Sequence, residues 1–315
     1  MLSKFINPFT DFGFVKLFGD EANKDLLIDF LNQLLPEEDQ IIDLTYQPNE
    51  HFPRTPEERK AIFDLYCENQ AGEKFIIELQ RAKQKYFKDR SIYYSTFPIQ
   101  EQAEPGKEWK FRLKSVYTIG IMDFLFDETE EAKDQLLHHV QLVELKTQKV
   151  FYDKLTFIYL ETPKFTKELH ELENHFDKWL YLLRNMEKLQ DRPVELQERI
   201  FNRFFDLAEL SKYTPVEKKA YEASLKVYRD LYNVMETAKE EYWEAGEKSG
   251  IVKGEKIGLE KGLEQGEQTG MEKGKEESLR NSVQGLVKVG LLTDVQIAEA
   301  LNIPLDQVLR YKNES

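Results

Sequence analysis

Apolar residues first recur at helical spacing. Phe14, Leu17 and Phe18 follow Thr10 and Asp11, which carry the chemistry of a helix start, and Gly19 interrupts the run. A second stripe, Leu26, Leu27, Phe30, Leu31, Leu34 and Leu35, ends at Pro36. The period then changes. Residues 41–46 form a strand-like run, and residues 47–60, rich in Pro, Glu and Arg, read as a loop. Residues 61–69 and 73–80 are two strand-like runs around Gln70-Ala71-Gly72, a hairpin signal in which Gly72 can take positive φ. Residues 81–103 regain helical character, with Tyr86, Tyr93, Tyr94 and Phe97 interleaved with basic groups. Residues 116–126 and 150–160 are dense in β-branched and aromatic side chains and are the next strands. Strands separated by helical runs predict an α/β sheet.

From residue 166 onward the pattern is all-helical. Thr214-Pro215-Val216-Glu217 has the form of a capping box with Pro at the first helical position. Glycines at 246, 250, 254, 258, 262, 266, 270 and 274 then recur every fourth residue. In one helix each costs roughly 1 kcal/mol relative to Ala, so a helix there needs an offsetting gain. A slowly winding small-residue stripe lets a second helix approach closely, which predicts a homo-oligomer. A semi-flexible polar linker is the alternative, since no hydrophobic seam lies beside the glycines. Thr293-Asp294, Asn302-Ile303 and Pro304 delimit two short helices spaced like a helix-turn-helix, which either read DNA or form a hairpin that docks or dimerises. The expected organisation is a domain over 1–165, a helical region over 166–245, the glycine segment over 246–275 and a small helical unit over 276–315.

Composition narrows the class. The chain has 315 residues and a net charge of −14, which argues against a passive nucleic-acid coat. Charge is uneven: between residues 81 and 114 nine Lys or Arg meet four Asp or Glu, a local basic patch on an acidic protein. The single cysteine, Cys67, excludes an intramolecular disulfide. No apolar run reaches the ~18 residues of a membrane span, and Met1-Leu2-Ser3-Lys4-Phe5 lacks a signal-peptide core, which predicts a soluble cytoplasmic protein.

The hairpin carries the candidate chemistry. A three-residue loop pairs Asn69 with Glu73, and counting back sets Asp64 opposite Glu78. Opposed side chains have Cβ atoms about 4.5–5.5 Å apart, where two carboxylates repel unless a cation lies between them. Gln80 shares the Glu78 face, and the Leu79 carbonyl between them offers a candidate further oxygen ligand. Asp64 and Glu78 also fit the solvated face of an amphipathic hairpin. Arg81, Lys83, Lys85, Lys88 and Arg90 follow directly; on a helix they would flank the site and hold DNA phosphates, or form an ordinary solvated face. His170 and His175 stand five apart and His138-His139 adjacent, spacings that do not converge on a metal.

The pattern Asp-x13-Glu-x-Gln resembles the PD-(D/E)xK nuclease signature, with Gln80 where Lys is usual. The chain is similar to the Rpn family of recombination-promoting nucleases, a group of PD-(D/E)xK transposases. The matching pieces are Asn7-Pro8-Phe9-Thr10-Asp11-Phe12, Lys16-Leu17-Phe18-Gly19, Asp64, Ile77-Glu78-Leu79-Gln80, Arg90 with Tyr93-Tyr94, residues 116–126 and Pro163-Lys164-Phe165. The resemblance implies a restriction-endonuclease-like mixed sheet flanked by helices. It implies Mg²⁺ or another divalent metal held by Asp64, Glu78 and the Leu79 carbonyl, and Gln80 orienting water or phosphate. Hydrolysis of DNA in recombination, mobile-element or defence biology follows from it. Asp11 would add a carboxylate near the metal, though an N-cap role accounts for it equally. The competing expectation is a catalytically inactive nuclease fold that serves as an oligomerising interaction or DNA-binding module.

Overall fold

The computed structural model describes residues 3–51, 61–103, 110–126, 129 and 132–314. The chain divides into two compact units, Met1–Met235 and Glu236–Ser315. The first contains α1 (Asp11–Phe18), α2 (Lys24–Leu31), β1 (Leu44–Tyr46), β2 (Glu50–His51), β3 (Ala61–Ile62), β4 (Leu65–Asn69), β5 (Lys74–Gln80), α3 (Phe87–Glu101), β6 (Val116–Met122), β7 (Leu137–Glu144), β8 (Lys149–Glu161), α4 (His175–Asn185) and α5 (Arg199–Ala208). A long helix, α6 (Pro215–Val289), begins in this unit; α7 (Asp294–Leu301) and α8 (Leu305–Asn313) follow it.

Six strands form a mixed sheet in the order β1-β4-β5-β6-β8-β7. β4 and β5 are antiparallel, β5-β6 and β6-β8 are parallel, and β7-β8 is antiparallel. The parallel step from β5 to β6 needs a crossover, which α3 supplies. All seven residues of β6 are buried, as expected for a central strand covered on both faces. Odd-numbered residues of β5 and β6 face one core and even-numbered residues the other, because strand side chains alternate. Phe75, Ile77, Tyr117, Ile119 and Ile121 join a core with Phe14, Phe18, Phe30, Trp179 and Phe204. Trp179 packs on Phe18, Phe30 and Phe204 with ring centroids 5.9, 5.6 and 5.2 Å away. Each such side chain contributes roughly 1.5–3 kcal/mol by leaving water. The opposite face is covered by α3, where Phe63, Tyr66 and Ile76 pack with Tyr94 and Phe97.

Several local expectations are met by specific bonds. Thr10 is the N-cap of α1, its hydroxyl accepting the Gly13 N–H at 3.0 Å, and Asp11 is the first helical residue. Thr214 and Glu217 form the reciprocal box that opens α6. Gly72 has φ 79° in the hairpin loop.

Other elements differ. Residues 61–69 are two strands, not one: β3 pairs with β2, which lies in the stretch read as a loop, and the backbone breaks at Phe63 and Asp64. Phe63 donates its N–H to the Asn49 carbonyl at 2.9 Å, so the ladder to β5 ends at Leu65. The helix expected over 81–103 begins only at Phe87, so Arg81, Lys83 and Lys85 lie in the connection leading to it. β7 replaces an unassigned stretch; its outer residues are largely exposed, which blurs the alternation that marks a strand. Residues 52–60 of the expected loop lie outside the described residues.

The glycine repeat is helical and continuous within α6. A Cβ added at any of those eight glycines meets nothing within 4 Å. In the second unit Val283 of α6 packs with Ile297, Ala298, Val308 and Tyr311, so the last turns of α6 supply a third helix to the α7–α8 pair. Asn302 ends α7 with φ 51°, in the left-handed conformation that Asn tolerates at a helix terminus. Among the described residues no helix is long and apolar enough to cross a membrane.

Candidate active site

The hairpin register decides which side chains meet. Observed pairs are Leu65 with Ile77, Tyr66 with Ile76, Cys67 with Phe75 and Glu68 with Lys74. Extended by one residue, the register sets Asp64 across from Glu78. Because β4 stops at Leu65, Asp64 is released from the ladder and turns its carboxylate onto β5. Its Oδ2 accepts the Leu79 N–H at 2.7 Å, and its own N–H donates to Glu78 Oε1 at 3.3 Å. The N–H and C=O of one strand residue point to the same side, so the Leu79 carbonyl lies on the same edge as Asp64. Asp64, Glu78 and the Leu79 carbonyl therefore share one edge of the hairpin.

Gln80 is buried and fixed at both ends of its amide. Nε2 donates to Glu78 Oε2 at 3.2 Å, and Oε1 accepts from Arg90 of α3. Arg90 is also bonded to Gln84 and lies over the Tyr94 ring, 5.8 Å from its centroid. Residues 87, 91, 95 and 98 are the buried positions of α3, and seating them on the sheet carries Arg90 and Tyr94 over Gln80 and Glu78. Gly120 pairs with Glu78 in the β5–β6 ladder; a Cβ there would meet Tyr159 at 3.1 Å and Phe87 at 3.3 Å. The buried Thr118 hydroxyl has no hydrogen-bond partner. It lines a cavity of about 10 Å³ with Glu78, Gln80, Arg90 and Tyr94, room for about one water.

The electrostatics follow from burial. Loss of solvent, and then the Asp64 charge, push the Glu78 carboxyl up to about 8, against the pull of Arg90. Burial raises Asp64 as well; the Leu79 N–H opposes this, the Asp11 charge adds to it, and Arg81 and Arg90 oppose it. Two carboxyls that resist ionising together mark a place where bound positive charge replaces a proton. The donors are all oxygen, which suits a hard divalent cation; Mg²⁺ commonly takes one or two carboxylates and keeps waters. Among the described residues no cluster of three or more His, Cys, Asp or Glu forms a protein-only metal cage.

The remaining expected site residues are placed as follows. Asp11 is exposed and bonds Arg81 Nη2 at 2.6 Å, while Arg81 itself is largely buried with Nη1 unpartnered. Lys83, Lys85 and Lys88 are exposed, Lys85 stacking on Tyr86 at 5.4 Å and Lys88 on Phe126 at 4.8 Å. His175 bonds Asp29 at 2.6 Å and Glu198 at 3.1 Å, far in sequence from the hairpin, and burial pushes the Cys67 thiol up. Sequence reasoning did not single out Thr118, Gly120 or Tyr94 for the site. All three lie in segments that carry the family resemblance, Tyr94 in the Arg90-Tyr93-Tyr94 set and the other two within residues 116–126, but their place beside Glu78 is set by three-dimensional adjacency.

A mixed sheet with helices on both faces, bearing Asp64 and the Glu78-Leu79-Gln80 run on one hairpin, defines the α/β restriction-endonuclease-like class. The sequence profile of the PD-(D/E)XK nuclease family transposases matches residues 8–238, and the chain belongs to that family. Neither a curated protein nor a solved structure gives a significant match.

Proposed function

We propose that the protein is a divalent-metal-dependent DNA endonuclease with Mg²⁺ as the natural cation, held by Asp64, Glu78 and the Leu79 carbonyl. The observation that supports this is the contact of Asp64 with β5, its Oδ2 accepting the Leu79 N–H at 2.7 Å and its own N–H donating to Glu78 Oε1 at 3.3 Å, with both carboxyls raised by burial. When bound, such a cation polarises a phosphodiester and acidifies a water. Gln80 would orient the attacking water or a phosphate oxygen by hydrogen bonding. Its amide carries no charge. Arg90, bonded to Gln80, supplies the fixed positive charge that a lysine gives elsewhere in the superfamily. Asp11 acts on this edge from outside, by holding Arg81 and by its charge on Asp64. Lys83, Lys85 and Lys88 contribute phosphate contacts that position the duplex without reading sequence. Recombination or mobile-element biology is the setting that family membership favours.

The test is cleavage of plasmid and linear DNA by wild type, Asp64→Ala and Glu78→Ala across several divalent metals. Metal-dependent nicking by wild type alone supports the assignment. Equal activity in all three places the chemistry elsewhere. Silence in all three favours a non-catalytic interaction protein.

A further inference from the structure

A second cavity, of about 310 Å³, opens where β6 ends. It is bounded by Asn7, Asp123, Arg184, Lys188, Tyr228 and Tyr232, among others. It adjoins the hairpin directly, because the Asp123 N–H donates to the Gln80 carbonyl at 2.8 Å. Part of its wall is fixed by internal bonds. Asn7 donates to Glu187 at 2.8 Å, Arg229 pairs with Glu187 at 2.8 Å, and the Tyr228 hydroxyl donates to Asp123 at 3.0 Å. Arg184 and Lys188 differ from the rest. Neither side chain makes a hydrogen bond or close ion pair among the described residues; Arg184 is half-buried and feels the Asp123 charge across the cavity, and Lys188 is exposed. The Asp123 charge offsets part of the cost of keeping this guanidinium partly out of water, but its N–H groups still have no hydrogen-bond acceptor, which a ligand would supply. Tyr228 and Tyr232 are one turn apart on α6, so both rings face the same side, and Tyr232 is 54% exposed.

The cavity is at the small end of ligand sites. Two cations with no hydrogen-bonded acceptor suit a phosphate. Two aromatic rings suit a base, because stacking is sequence-tolerant. We propose that this cavity holds one nucleotide of the DNA strand flanking the scissile phosphate, its phosphate on Arg184 and Lys188 and its base against Tyr232. This rests on the nuclease reading and extends it to a substrate class. A nucleotide enters a cavity of this size only when unpaired, so single-stranded DNA and frayed ends are favoured over intact duplex.

The test measures binding of a fluorescent oligothymidylate in a chelator, where no chemistry occurs, alongside Mg²⁺-dependent cleavage. The proteins are wild type, Arg184→Ala with Lys188→Ala, Tyr232→Ala, Tyr232→Phe, and Lys149→Ala as an exposed control on β8. Circular dichroism confirms that each is folded. The expected result is a loss of about tenfold or more in affinity for the double cation variant. Tyr232→Ala should weaken binding, Tyr232→Phe should restore it, and thymidine 5′-monophosphate should compete for the wild-type site. Wild-type affinity and cleavage in the folded Arg184, Lys188 and Tyr232 variants would overturn the cavity assignment and leave the nuclease intact. Wild type that neither binds nor cuts DNA would overturn both. Oligonucleotide binding that needs these residues, without cleavage under any metal, would uphold the cavity and remove the nuclease.

Discussion

Replacing Glu78 with Gln removes one of two carboxyls that burial forces together, and the effect on folding can be worked through. The unfolded chain releases the Glu78 proton near the ordinary 4.5; the folded chain holds it until about 8. Below the lower value both states are protonated and the site has no cost. Between the two values only the unfolded chain ionises, so stability falls as pH rises, by about 1.4 kcal/mol per pH unit for one proton. Above about 8 the loss is complete, and a shift of this size is worth roughly 3–5 kcal/mol. Glu78→Gln should therefore match wild type near pH ~5 and be more stable than it near pH ~9, by an amount within that range. Urea unfolding followed by the fluorescence of the buried Trp179, in a chelator, measures the gap. Adding Mg²⁺ should raise wild type by mass action and leave the variant unmoved. A gap that stays constant with pH, or a variant less stable than wild type at high pH, would refute the account of two mutually repelling buried carboxyls.

Arg90→Gln should lower single-turnover cleavage by about 10²–10³, with Arg90→Lys recovering part of it because charge returns without the planar fork that reaches Gln80 and Gln84. Equal rates in all three would remove Arg90 from the chemistry. Gly120→Val should destabilise by about 1–3 kcal/mol and reduce cleavage, since its side chain would press on Tyr159 and Phe87 and displace α3. Chemical denaturation and initial rates read both effects. Gly254→Ala, Gly258→Ala and Gly262→Ala together should raise helix stability by about 1 kcal/mol each. They should also weaken self-association measured by light scattering; a firmer helix with unchanged association would show that the stripe is not the contact between copies.

Much of the fold is written locally. The β4–β5 register follows from the three-residue loop and Gly72, because side chains alternate strictly and one residue of slip would reverse every face. The caps at Thr10, Thr214 and Thr293 follow from short-range chemistry, and each makes its own bonds. The same local logic sets Asp64, Glu78 and Gln80 on one hairpin independently of the packing around it.

Tertiary structure decided the rest, because those contacts join residues distant in sequence. The helix expected over 81–103 starts late, since α3 must seat Phe87 against Phe124 and Tyr159 rather than continue from Gln80. That seating turns Arg90 from a member of a basic run into the partner of Gln80. Asp11 is tied to Arg81 across 70 positions, and Tyr228 to Asp123 across 105. Gly120 and Thr118 enter the site only because a parallel ladder brings β6 beside β5. Sequence alone thus set the carboxylates and their spacing through bonds and turns of a few residues. Which cations, rings and cavities surround them was fixed by packing, whose partners the one-dimensional order does not bring together.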